Sequence, residues 1–198
     1  MKRIILSGPS ASGKTATMLL LEKMAMDEGC NIAGLICSPV FADGIKIAIE
    51  WKAACAGAKA GILAQLASDA AGKTQGRPYI DGEKLNFGKW LFDIRELDKA
   101  DRQLHESILL AAGADHPVLV LADEIGPLEL KWQSGFYNSF LEMDRLGAGL
   151  KLCMLVAARP DISEMLKIRW PDSQIVHLEY GKARECASQI HGTFCQFL

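Results

Sequence analysis

Nowhere does the chain carry an apolar run approaching the ~20 residues that cross a bilayer, so no membrane insertion is expected. The apolar stretch behind Lys2 and Arg3 is only three residues long, too short for a secretory signal, and the expected location is the cytoplasm. The six cysteines (Cys30, Cys37, Cys55, Cys153, Cys186 and Cys195) include no C-x-x-C pair, and in a reducing compartment they read as small core residues. The histidines His105, His116, His177 and His191 are scattered, and none has a second His four residues away, which excludes a helical zinc-protease motif. An excess of positive charge is also missing. A net charge of -2 and a pI near 6.1 leave no extensive nucleic-acid surface. With no internal repeat, low-complexity tract or linker, residues 1–198 read as one domain.

What is present begins at the N-terminus. Gly8-Pro9-Ser10-Ala11-Ser12-Gly13-Lys14-Thr15 is a complete G-x-x-x-x-G-K-T phosphate loop, the Walker A pattern. A β-branched run, Ile4 to Leu6, leads in, and a helix-forming run, Ala16 to Met26, leads out. Gly8 and Gly13 let the backbone wrap an anion, while the amides from Gly8 to Ala16 and the opening helix point N–H groups at it. Lys14 has the reach for the β- and γ-phosphates, and the Thr15 hydroxyl is placed to ligate Mg²⁺.

Further on, Asn31 to Cys37 reads as a buried strand, and Ala42-Asp43-Gly44 as a hairpin turn. The alternation of Ile45, Ile47 and Ile49 predicts a half-buried strand, and Ile62 to Leu66 a short one, an antiparallel extension near 41–67. Residues 68–92, rich in Gly, Asp and Lys, read as a loop with a short strand near Tyr79-Ile80. Ile94, Leu97, Ala100, Leu104, Ile108 and Ala111 predict an amphipathic helix stopped at Gly113. Strands are expected at 117–122, 150–157 and 174–178, and helices near 136–146, 161–168 and 182–196.

The strand Val118 to Ala122 ends in Asp123-Glu124, a Walker B pattern. A strand end fixes a carboxylate rigidly, and Mg²⁺ prefers carboxylates and waters, so Asp123 reads as the second Mg²⁺ partner beside Thr15. Glu124, one residue on, is placed to orient or deprotonate a water. Arg159, at the end of the strand before Pro160, faces the expected ligand crevice and is a candidate to neutralise charge on the γ-phosphate. The alternative for Arg159 is a surface charge paired with Asp161. Glu129 is either a supporting carboxylate or a helix-entry charge, Tyr180-Gly181-Lys182 either a base-cradling loop or a turn, and Arg77 and Tyr79 either a phosphate-closing pair or surface residues.

Asp123-Glu124-Ile125-Gly126-Pro127-Leu128-Glu129-Leu130 closely resembles the D-E-I-G-x-M/L-E-L block of the small phosphate-loop nucleoside-triphosphatases of the cancer-related type. Gly34 to Val40 with the hairpin at Gly44, and Tyr79-Ile80-Asp81, resemble that family's second strand, hairpin and tyrosine-bearing loop. The resemblance implies a three-layer phosphate-loop NTPase sandwich, a mainly parallel sheet with helices on both faces and an added hairpin. It also implies Mg²⁺-dependent hydrolysis of nucleoside triphosphates to diphosphates with broad base tolerance. Val40-Phe41 stands where the family usually has Glu and Arg, and Gly44 to Ile49 lacks its G-x-R-x-G-F run, which marks a divergent, bacterial-like branch.

The sequence reading is therefore a Mg²⁺-dependent nucleoside triphosphatase acting on ATP or GTP, with Lys14, Glu124 and Arg159 catalytic and Thr15 and Asp123 on the metal. Two rivals share the phosphate site: a small-molecule kinase, and a nucleotide-dependent switch serving a transporter or cofactor-assembly partner. The sequence identifies no protein partner.

Overall fold

A computed structural model describes residues 1–54, 59–67 and 74–196. Cys55 and the opening of the loop expected from residue 68, namely 68–73, lie outside the described residues. In chain order the elements are β1 (Lys2–Ser7), α1 (Lys14–Asp27), β2 (Asn31–Ala42), β3 (Ile45–Ala53), β4 (Ala60–Leu66), β5 (Thr74–Asp81), β6 (Lys84–Gly88) and β7 (Trp90–Asp93). They continue as α2 (Ile94–Ala112), β8 (Val118–Ala122), α3 (Pro127–Trp132), α4 (Tyr137–Arg145), β9 (Leu152–Ala158), α5 (Pro160–Arg169), β10 (Gln174–His177) and α6 (Ala183–Cys195).

All ten strands join one sheet in the order β10-β1-β9-β8-β2-β3-β4-β7-β6-β5. The strands from β10 to β2 pair in parallel, and every pairing from β2 outward to β5 is antiparallel. The sheet is thus mixed, and the antiparallel extension is larger than a hairpin at 41–67. It runs on to Asp93: the short strand expected near Tyr79-Ile80 is β5, and β6 and β7 stand where loop was expected. The cause lies in β2. Its first part pairs with β8 as far as Leu35, and the rest runs past the end of β8 and offers its edge to β3. This growth on one side leaves β1 flanked by strands but second from the opposite edge.

Alternation along the buried strands feeds two cores. In β1, Ile5 belongs to the core that also holds Leu97, Leu104 and Ile108 of α2, Phe140 of α4 and Leu166 of α5. Ile4 and Leu6 face the other way, toward Met18 and Leu21 of α1 and Ile190 and Phe194 of α6. Helices therefore cover both faces, and the strands between them are apolar on both sides, as expected for parallel strands with crossover helices. The predicted amphipathic helix is α2, whose Asp93 side chain caps its start by accepting the Glu96 N–H at 3.1 Å. The site lies where the C-terminal ends of β1, β9 and β8 come together, at Ser7, Ala158 and Ala122.

Candidate functional site at the strand ends

Gly8 leaves β1 with its N–H donated to the Ala158 carbonyl at 3.3 Å, which ties the loop to the end of β9. A Cβ on Gly8 would stand 2.5 Å from Ser12 Oγ, so the turn closes only around glycine. Ala11 and Gly13 both take positive φ, 62° and 103°. Backbone of this kind turns successive N–H groups toward one concavity. No side chain caps the start of α1, so its first N–H groups face the same concavity. Lys14 lies across the loop, its Nζ donating to the carbonyls of Gly8 (2.7 Å) and Pro9 (2.8 Å). Burial pulls the Lys14 ammonium below its usual range, Asp123 and Glu124 oppose that shift, and the nearby positive Arg159 adds to it.

Thr15 and Asp123 meet although they are far apart in sequence. Thr15 Oγ1 donates to Asp123 Oδ2 at 2.9 Å, and the same oxygen accepts the Cys37 N–H at 3.2 Å. Asp123 Oδ1 is buried and has no hydrogen-bond partner among the described residues. Burial, reinforced by the charge of Glu124, pushes the Asp123 carboxyl well above the usual carboxylate range. A buried carboxylate oxygen without a donor is costly, and a cation or its water is the natural partner for it. The backbone of Cys37, on β2, is a member of this site that sequence reasoning missed. Only the long β2 beside β8 brings it there.

Glu124 is exposed and sits in the left-handed region at φ 66°, where a side chain other than glycine is strained. The strain holds its carboxylate at the end of β8, next to Asp123. Arg159 caps the start of α5 through its backbone and is exposed. The pairing with Asp161 considered for it is not formed, and its guanidinium has no ion pair among the described residues.

Other expectations divide. Glu129 is buried and binds backbone. Its Oε2 accepts the Gly126 N–H and its Oε1 the Phe136 N–H, both at 2.8 Å, so it fixes the turn behind Glu124 and the entry to α4. Burial nonetheless raises the Glu129 carboxyl to about 7, against the pull of those donors. Tyr180 reaches the loop, its hydroxyl donating to the Ser10 carbonyl at 3.2 Å. Arg77 lies over the Trp132 ring at 5.5 Å, and among the described residues no hydrogen bond or ion pair links Arg77 or Tyr79 to the phosphate loop.

A glycine-bound phosphate loop at the end of a parallel strand, with a carboxylate from the end of the next strand but one on its threonine, defines a phosphate-loop nucleotide-binding protein. A sequence model of the NTPase family matches residues 3–143, and the chain belongs to that family. Two solved structures share its fold. One is the solution structure of a human cancer-related nucleoside triphosphatase, with a TM-score of 0.67 and 15% identity over 98% of this chain and 97% of that one. The other is the crystal structure of THEP1 from the hyperthermophile Aquifex aeolicus, also with a TM-score of 0.67 and 15% identity, over 97% of this chain and 98% of that one. No curated protein matches the sequence.

Proposed function

We propose that the chain is a Mg²⁺-dependent nucleoside triphosphatase that converts an ATP- or GTP-type nucleotide to its diphosphate and phosphate. The observation that carries this reading is the Thr15–Asp123 contact at 2.9 Å with its second, unpartnered carboxylate oxygen beside the phosphate loop. A hydroxyl and a carboxylate oxygen fit a hard divalent ion, so Thr15 and Asp123 would hold Mg²⁺, Asp123 directly or through water. Bound there, Mg²⁺ would supply charge neutralisation for the β- and γ-phosphate oxygens.

The chain's own groups do the rest. The amides from Gly8 to Ala16 and the Lys14 ammonium bind the triphosphate and fix its orientation. Glu124 holds a water in line with the γ-phosphorus and takes its proton as the new P–O bond forms. The bond from that phosphorus to the β,γ-bridging oxygen breaks, and the diphosphate leaves. Arg159, with no ion pair among the described residues, offsets charge on the transferring group. Membership of the NTPase family supports the reaction class.

The test is phosphate release by the purified chain with a panel of nucleoside triphosphates, in Mg²⁺ and in chelator, with and without small-molecule acceptors. Mg²⁺-dependent release to water, unaffected by acceptors, is expected. Nucleoside diphosphate formed only in the presence of an acceptor, with the phosphoryl group recovered on that acceptor and not as free phosphate, would make the chain a kinase, and phosphate release only with an added protein fraction would make it a switch.

A further inference from the structure

On the side of the sheet covered by α1 and α6, the two helices run alongside each other from the phosphate loop. A Cβ on Gly13 would lie 3.6 Å from Ala183, so their starts are adjacent. Their far ends are adjacent as well, and three side chains of different chemistry converge there. Glu28 follows the last turn of α1, and His191 and Cys195 sit four residues apart on one face of α6. Cys195 Sγ is 3.8 Å from Glu28 Oε2 and lies beside the His191 ring, 3.6 Å from Nδ1 and 3.9 Å from Nε2, and His191 Nε2 is 3.5 Å from Glu28 Oε2. His191 is buried, its side chain 7% exposed.

The three distances among Cys195 Sγ, Glu28 Oε2 and His191 Nε2 are those of a metal triangle. The point equidistant from the three atoms lies ~2.2 Å from each, beside expected bond lengths of about 2.3 Å to sulfur and 2.0–2.2 Å to nitrogen and oxygen. Bringing an imidazole lone pair onto that point takes a turn of the His191 ring about χ2, a broad torsion. A thiolate, a carboxylate and a neutral imidazole together balance a divalent charge. The mix of soft sulfur and borderline nitrogen favours zinc-like ions over Mg²⁺. A water would complete a tetrahedron.

We infer that Glu28, His191 and Cys195 form a Zn²⁺ site that clasps the far ends of α1 and α6. The site stands about 20 Å from the phosphate loop, the length of α1 at 1.5 Å per residue, so the ion is structural and lies beyond reach of the nucleotide. It holds the helix whose first residues follow the Tyr180 turn against the helix that carries Lys14 and Thr15.

The test is titration of the full chain, untagged and reduced, with Co²⁺ as the probe, followed by Zn²⁺ displacement. A thiolate-to-cobalt charge-transfer band and visible tetrahedral bands are expected to saturate at about one equivalent and to vanish when Zn²⁺ is added. Cys195→Ser should remove the charge-transfer band, and Glu28→Gln, at an exposed position that the fold tolerates, should weaken binding roughly 10-fold or more. Zn²⁺ should raise the melting temperature of wild type and leave that of Cys195→Ser unchanged. No saturable band, or a band equally strong in both variants, would overturn the site and leave an ordinary His191–Glu28 charge pair.

Discussion

Glu124 spends stability on geometry. It occupies left-handed backbone at φ 66°, and its charge also pushes up the carboxyl of neighbouring Asp123. Both features are unfavourable in the absence of a bound cation, and both fit the role proposed for Glu124, whose carboxylate would have to stand at one place beside the γ-phosphate. Glu124→Gly should therefore stabilise the ligand-free protein by up to about 1 kcal/mol in denaturant unfolding while abolishing hydrolysis. Reduced stability in that variant would mean that the left-handed turn is not strained. Lys14→Ala should leave the fold intact and remove triphosphate binding, because the ammonium contacts only the Gly8 and Pro9 carbonyls and contributes little packing. Calorimetry with a Mg²⁺-nucleotide checks this, and unchanged affinity would move the site away from the loop. The loop, Asp123 and Glu124 were legible because their spacing is itself the chemistry. The Cys37 backbone and the partners of His191 were not, since each is supplied by an element remote in sequence.

Among the elements, the segment from Asp123 to Phe136 depends on a single buried carboxylate. Glu129 spans from the Gly126 N–H, at the start of α3, to the Phe136 N–H, before α4. With its folded value raised from 4.5 to about 7, its stabilising contribution is complete below about pH 4.5 and lost as the pH rises through about 7. Glu129→Gln, neutral throughout, should show a smaller fall in unfolding free energy across that window than wild type. Equal slopes would mean that Glu129 titrates alike in the folded and unfolded chain. The six-residue α3 was missed in the sequence because it is too short to show a helical period and opens on Pro127. The reading of 68–92 as a loop with a short strand near Tyr79-Ile80 found β5 and missed β6 and β7 for a related reason. β6 and β7 are five and four residues long, and Leu85 and Phe92, their buried members, are too few to display an alternation. α2, at nineteen residues with a complete apolar stripe, was legible from end to end.

On the scale of the molecule, the parallel half of the sheet holds the site, β2 adds the Cys37 backbone where it runs on to pair with β3, and among the described residues no side-chain hydrogen bond links β3 to β7 with the phosphate loop, Thr15 or Asp123. The parallel half supplies three strand ends, and α1 carries the phosphate loop between the two cores. Ligand binding should accordingly stabilise the whole fold. A Mg²⁺-nucleotide at a hundred times its Kd should add about 2.7 kcal/mol to the unfolding free energy of wild type and nothing to Lys14→Ala. A matching gain in the variant would locate binding elsewhere. The hydrolytic role of Glu124 is tested most directly by a paired measurement on Glu124→Gln: nucleotide affinity by calorimetry and phosphate release in a single turnover. Gln is nearly isosteric and leaves Lys14, Thr15 and Asp123 in place, but it cannot accept a proton from water. Affinity within a few-fold of wild type, with a loss of roughly 10²–10⁴ in rate, is the predicted result. Hydrolysis as fast as wild type would contradict it and leave Glu124 a bystander.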